Sequence, residues 1–110
     1  RVWEVSGGTV EQWRIDPAAY GLASADLDGL AGGEPADNAA RIERLLSGDG
    51  EAPVRCAVLL NAAAALYVSG NGWSFEEAVN RATEALESGA GWRVLEKLRM
   101  LSGEETESAE

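Results

Sequence analysis

Histidine is absent from this 110-residue sequence. That removes the commonest general base, the usual zinc ligand and every Ser/His or Cys/His constellation, so a self-contained hydrolase is a poor reading. Cysteine occurs once, at Cys56 inside an apolar run. One thiol forms neither a disulfide framework nor a thiolate metal cluster, and it suits a reducing cytoplasm; Cys56 reads as a small core residue. Cations are scarce, with 9 Lys and Arg against 19 Asp and Glu and a formal net charge of −10. No basic patch is visible of the kind that nucleic acid or an anionic membrane rewards, so neither partner is expected. Methionine first occurs at Met100, and the chain opens directly on "RVWEV", with no signal peptide or polar lead-in. The expectation is a chain continued from an upstream portion.

What is present is globular in composition. Apolar residues make up 45%, and no low-complexity run precedes the last few positions. A chain of this size buries only about two-thirds of the surface its unfolded form exposes, so its core is small. "RVWEVSGGTVEQWRID" alternates apolar and polar residues on both sides of Gly7-Gly8, the pattern of a β-hairpin. A strict two-residue turn would set Glu4 opposite Glu11, an unfavourable like-charge pair, which predicts a bulge or a longer loop. "PAAYGLASADLDGLAGG" is too broken by glycine for a long helix, and Tyr20, Leu22, Leu27 and Leu30 are its expected packing points.

About four α-helices follow, which makes the expected fold mostly α. Pro35 opens an amphipathic helix with Ala36, Ala39, Ala40, Ile42, Leu45 and Leu46 on one face, closed by Gly48. "PVRCAVLLNAAAALYVSG" is apolar on nearly all sides, interrupted by Asn61, and shorter than the ~20 residues that span a bilayer, which predicts a buried helix. Ser74 and Glu77 form a capping box before a face of Ala78, Ala82, Ala85 and Leu86, stopped by Gly89. Trp92, Leu95, Leu98 and Leu101 space a last helix face, and "SGEETESAE" has nothing to bury. A helix apolar all round needs partners on every side, and a hairpin with three amphipathic helices supplies barely enough surface.

Candidate chemistry is thin. "LAGGEPADN", Leu30 to Asn38, feeds a helix N-terminus that could hold phosphate through backbone N–H groups. It matches neither a P-loop nor a dinucleotide fingerprint, and Glu34 and Asp37 in the first turn would repel an anion. A tight turn with a helix cap is the better reading. Asp26, Asp28, Glu34 and Asp37 lack the spacing of a calcium loop and read as solvated charges. Asn61 must find a hydrogen-bond partner or cost about 1–3 kcal/mol, so a structural amide bonded to a neighbouring segment is expected. Trp3, Trp13, Trp73 and Trp92 could form an aromatic cage, yet they alternate with apolar partners at strand and helix spacing, which favours core or a subdomain interface.

"IDPAAYGL", "GGEPADNAARIERLLSG", "LLNAAAALYVSG" and "SFEEAVNRATEALESGAGWRVLEKL", in this order and with these gaps, resemble the C-terminal third of the anthranilate phosphoribosyltransferase family. The resemblance covers about residues 2–101. The family commonly has Asp where this chain has Glu34, and a smaller apolar pair where it has Gly91-Trp92. The resemblance implies a C-terminal fragment of an α/β domain over residues 1–101, followed by a disordered acidic tail at 102–110. It implies a homodimeric cytoplasmic enzyme that moves phosphoribosyl from phosphoribosyl pyrophosphate to anthranilate in tryptophan biosynthesis, with Mg2+ on the pyrophosphate.

That chemistry is carried in the family by a Gly-Thr-Gly-Gly-Asp loop, an Asn-x-Ser-Thr segment, a Lys/His/Asn loop, an Arg and an Asp-Glu metal pair. None of these occurs in this sequence; in family order all lie upstream. No catalytic, cofactor-binding or metal role therefore passes to any residue here, and this chain alone is expected to be inactive. Pyrimidine nucleoside phosphorylases share the architecture but extend into a further C-terminal domain, where this sequence has only its acidic tail. The rival expectation is a free-standing small helical protein-interaction module.

Overall fold

The computed structural model describes residues 1–22 and 27–103, apart from the side chains of Leu27 and Asp28. The elements run β1 (Val2–Ser6), β2 (Thr9–Trp13), 3-10 turns at Pro17–Tyr20 and Leu27–Leu30, then α1 (Pro35–Leu46), α2 (Ala52–Tyr67), α3 (Phe75–Glu87) and α4 (Ala90–Ser102). A hairpin followed by four helices is the architecture expected from the sequence. The last helix runs through Ser102 and ends on Gly103 at φ +77°, so Ser102 is helical rather than part of the acidic tail. The expectation of disorder for the rest of that tail falls on 104–110, outside the described residues.

β1 and β2 pair antiparallel with Ser6 opposite Thr9 and only Gly7-Gly8 between them. Their φ angles of +57° and +81° carry the signs a type I′ turn demands, which glycine adopts at little cost. The bulge expected from the sequence does not form, and Glu4 does stand opposite Glu11. Glu4 Oε1 accepts from Trp13 Nε1 at 3.0 Å and from the Tyr67 hydroxyl at 2.7 Å. A like-charge cross-strand pair costs at most about 1 kcal/mol. Two hydrogen bonds to a carboxylate, each stronger than a neutral one, outweigh it.

α2 and α3 make the most extensive helix pairing. The core consists of Leu22, Leu45, Leu59, Ala63, Phe75, Ala78, Val79, Ala82 and Leu86. In α3 the buried stripe is 75, 78, 79, 82, 86. Val79 takes the place that the sequence reading gave to Ala85, which is exposed, because a period of 3.6 residues puts 79 nearer than 85 to the line through 75, 82 and 86. The capping box forms, with Glu77 N donating to Ser74 Oγ and Ser74 N to Glu77 Oε1, both at 3.1 Å.

The other helices bury less than their sequences suggest. α2 buries only Leu59 and Ala63 fully, whereas Val58, Asn61, Ala64 and Ala65 are exposed. It packs on α3 along one side, and among the described residues no layer covers the side that carries Val58, Asn61, Ala64 and Ala65. In α1 only Leu45 is buried while Ala39, Ala40 and Ile42 are open, and in α4 Leu98 and Leu101 are exposed. Of the packing points expected between hairpin and α1, Leu22 is buried, Tyr20 packs against the core and Leu30 is exposed.

Two substitutions test this packing. Ser74→Ala removes one half of the capping box and should lower stability by about 1 kcal/mol. A Cβ at Gly50 would lie 2.7 Å from Leu45 Cδ1 and 2.8 Å from Leu45 Cα, whereas at Gly32 the nearest atoms are 3.8 Å away. Gly50→Ala should therefore cost about 1–3 kcal/mol and Gly32→Ala less than about 0.5 kcal/mol. Urea midpoints of the variants check both expectations; equal midpoints for the two glycine variants would contradict the close α1–α2 turn.

Candidate functional site

The chemically densest place lies where the inner face of the hairpin meets the end of α2 and the start of α3. Residues alternate faces along a strand, so Val2, Glu4 and Trp13 share one side of the hairpin. Trp13 meets Tyr67 and Phe75 edge-on, with ring centroids 5.6 and 5.7 Å away. Tyr67 and Phe75 are 5.9 Å apart, and Tyr20 lies 5.4 Å from Phe75. Such edge-to-face pairs add about 0.5–1.5 kcal/mol beyond area burial. Trp13, Tyr67 and Phe75 border a hollow of about 190 Å3 lined also by Trp3, Val5, Ala64 and Val68.

Glu4 is the one carboxylate among the described residues of that lining, and its Oε1 is already engaged by the indole and the phenol. The Tyr67 pKa is raised from 10.0, first by its hydrogen bond to Glu4, then by burial, then by the charges of Glu4 and Glu11. The phenol is thus held protonated as a donor. The arrangement offers an apolar surface and one carboxylate, with no activated nucleophile beside a base.

The residues singled out from the sequence do not converge. Gly33 N donates to Asn38 Oδ1 at 2.9 Å, Asn38 Nδ2 donates to Gly33 O at 3.1 Å, and an Arg41 guanidinium nitrogen donates to Ala31 O at 2.6 Å. The amide an anion would need is taken, and the loop is a clamped turn. Glu34 stands at the N-cap without a capping bond, and Asp37 lies in the first turn; Asp26 and the side chain of Asp28 fall outside the description. Trp3 lies on the outer face of the hairpin with Arg1 5.7 Å from its ring, Trp73 stacks with Arg81 at 4.2 Å, and Trp92 with Arg99 at 5.8 Å. Only Trp13 joins the aromatic cluster, so no cage forms.

Cys56 Sγ donates to Leu22 O, tying α2 to the loop after the hairpin. Asn61 is exposed and donates to Ala57 O at 2.8 Å, so a carbonyl of its own helix satisfies it where a neighbouring segment was expected. The Glu4 hub and the Asn38 clamp are not legible in the sequence. Asn38 five residues after Gly33 is a weak turn signal, and Tyr67 lies 63 positions from Glu4.

Residues 1–92 match the family described as "Glycosyl transferase family, a/b domain". Curated relatives include the anthranilate phosphoribosyltransferases of Natronomonas pharaonis, 41% identical over 89% of this chain, of Rubrobacter xylanophilus, 43% over 92%, and of Methanocorpusculum labreanum, 39% over 98%. The aligned parts are 29%, 30% and 32% of the relatives' own lengths, so this chain spans about a third of the proteins it resembles.

The raised pKa of Tyr67 has a definite sign. A phenol whose folded pKa exceeds its unfolded value stabilises the fold fully below pH 10.0 and loses that contribution as pH rises through the folded value. Absorbance titration near 295 nm should show a tyrosine that ionises above the ordinary range, and Glu4→Gln should move it back down. A titration unchanged by Glu4→Gln would contradict the Glu4–Tyr67 bond.

Proposed function

The chain belongs to the glycosyl transferase family, a/b domain, and on that premise we propose that it forms the C-terminal portion of an anthranilate phosphoribosyltransferase. In this reading the complete enzyme transfers phosphoribosyl from phosphoribosyl pyrophosphate to anthranilate, and residues 1–101 act as scaffold. The observation that carries the reading is similarity of 39–43% over 89–98% of this chain to relatives named for that one activity. The rival of a free-standing interaction module gains no support from relatives named as enzymes.

The scaffold role follows from side-chain chemistry. Among the described residues no group of three or more His, Cys, Asp or Glu converges where a metal ion could be held. The Mg2+ that the resemblance implies therefore does not fit a donor set here, and no step is assigned through it. Glu4 and Tyr67, the most constrained titratable pair, are spent on each other and on Trp13. What these residues supply is position: the hub fixes the hairpin on α2, and the α2–α3 pairing fixes the rest. No described helix is long and apolar enough to cross a membrane. A cytoplasmic homodimer is part of the same proposal.

The test is a chimera in which the matched segment of the Rubrobacter xylanophilus relative is exchanged for this chain. The chimera should convert anthranilate with phosphoribosyl pyrophosphate, and this chain alone should show no turnover. A folded but inactive chimera, or measurable turnover by the isolated chain, would overturn the proposal.

A further inference from the structure

The hairpin carries apolar side chains on both faces. An antiparallel sheet ordinarily turns one apolar face to the core and a polar one to water, and here Trp13 packs on the helices beside Glu4, yet the opposite face carries Trp3, Val5 and Val10, which are 61%, 75% and 65% exposed. The same holds for α2. Its only charged residue, Arg55, pairs with Glu87 of α3 at 3.1 Å, while Val58, Asn61, Ala64, Ala65 and Val68 stand exposed. The two surfaces are one, because the hollow between them is lined by Trp3 and Val5 from the hairpin and by Ala64 of α2 and Val68 at its C-terminal cap. On a chain of net charge −10, the exposed side of α2 carries no charge at all. A contiguous apolar surface of this kind marks an interface.

We infer that this strip, from the outer face of the hairpin along α2 to Val58, is an internal interface on which the remainder of the a/b domain closes, with Asn61 as its polar registration point. The inference rests on the reading of the chain as part of a longer transferase. The occupant follows from the relatives: the aligned parts are only 29–32% of their lengths, so most of each relative's chain has no counterpart here. A two-stranded hairpin is also marginal without a further layer, and an apolar second face is what such a layer would bury. Asn61 adds specificity. Its Nδ2 is satisfied inside the helix by Ala57 O, which leaves Oδ1 as an acceptor on an otherwise apolar stripe. A covering segment must place a donor opposite it or leave it unpaired, which fixes register as a lone Asn does in a coiled-coil seam.

The chimera with the Rubrobacter xylanophilus relative provides the test, read by melting midpoint and independently of turnover. Val58→Asp and Val68→Asp should each lower the midpoint of the chimera by several degrees, whereas Asn80→Asp, at an exposed position of α3 off the strip, should leave it unchanged. Asn61→Leu should lower it as well, by stranding the partner's donor. A hydrophobic dye should bind the isolated chain and be excluded from the chimera. Strip variants no more damaging than Asn80→Asp, dye binding that persists in the chimera, or an insoluble chimera would each overturn the inference. A stable, inactive chimera that is still sensitive along the strip would overturn the transferase reading and leave the interface standing. An active chimera indifferent to the strip would do the reverse.

Discussion

The close pairing of α2 with α3 is the constraint on which the rest of the structure depends. Ala63, Ala78 and Ala82 are all buried in this core beside Leu59 and Val79. Alanines at such positions let two helices approach more closely than leucines would, and the larger side chains fill the space that remains. The pairing also decides what happens at one end of the seam. Tyr67 closes α2 and Phe75 opens α3, so seating one helix on the other brings their rings to 5.9 Å. That aromatic pair is the platform on which Trp13 lands, and with Trp13 comes the whole hairpin.

Glu4 turns this landing into a fixed register. A two-stranded ribbon can slide or tilt on an apolar platform, because dispersion contacts have little directional preference. Hydrogen bonds from the Trp13 indole and the Tyr67 phenol to one carboxylate oxygen do have direction. One of them stays within the ribbon and the other crosses to α2. The negative charge that looks misplaced in the strand pair is thus the hairpin's polar link to the helices. Its price appears in the phenol, which cannot ionise beside it without bringing two negative charges together.

The distribution of apolar surface is the structure's other message. The seam is buried, but the outer hairpin face, the far side of α2 and the end of α4, with Leu98, Met100 and Leu101 exposed, are not. Scattered exposed apolar residues are ordinary on a folded protein; a run of them that crosses from a sheet onto a helix is not. The expectation of a helix with partners on every side was therefore half met within this chain.

The sequence by itself determined the elements and their ends. Gly7-Gly8, Pro35, the Ser74–Glu77 box and Gly48, Gly89 and Gly103 encode backbone preferences that act within a few residues, and the hairpin turn, the starts of α1 and α3 and the ends of α1, α3 and α4 fall at or within two residues of them. It also removed every histidine-based site from these residues, since histidine is absent. Only the tertiary structure decided which face of each element is used. Periodicity marks an apolar stripe but does not say what will cover it, so Ile42 and Leu98 read as core and are exposed. Nor could local rules foresee that Glu4 opposite Glu11 would be tolerated in a strict turn, because that depends on a phenol 63 residues away. Asn61 bonds the carbonyl four residues back in its own helix, which is a local pattern, but only the fold decided that this side of α2 would stand exposed.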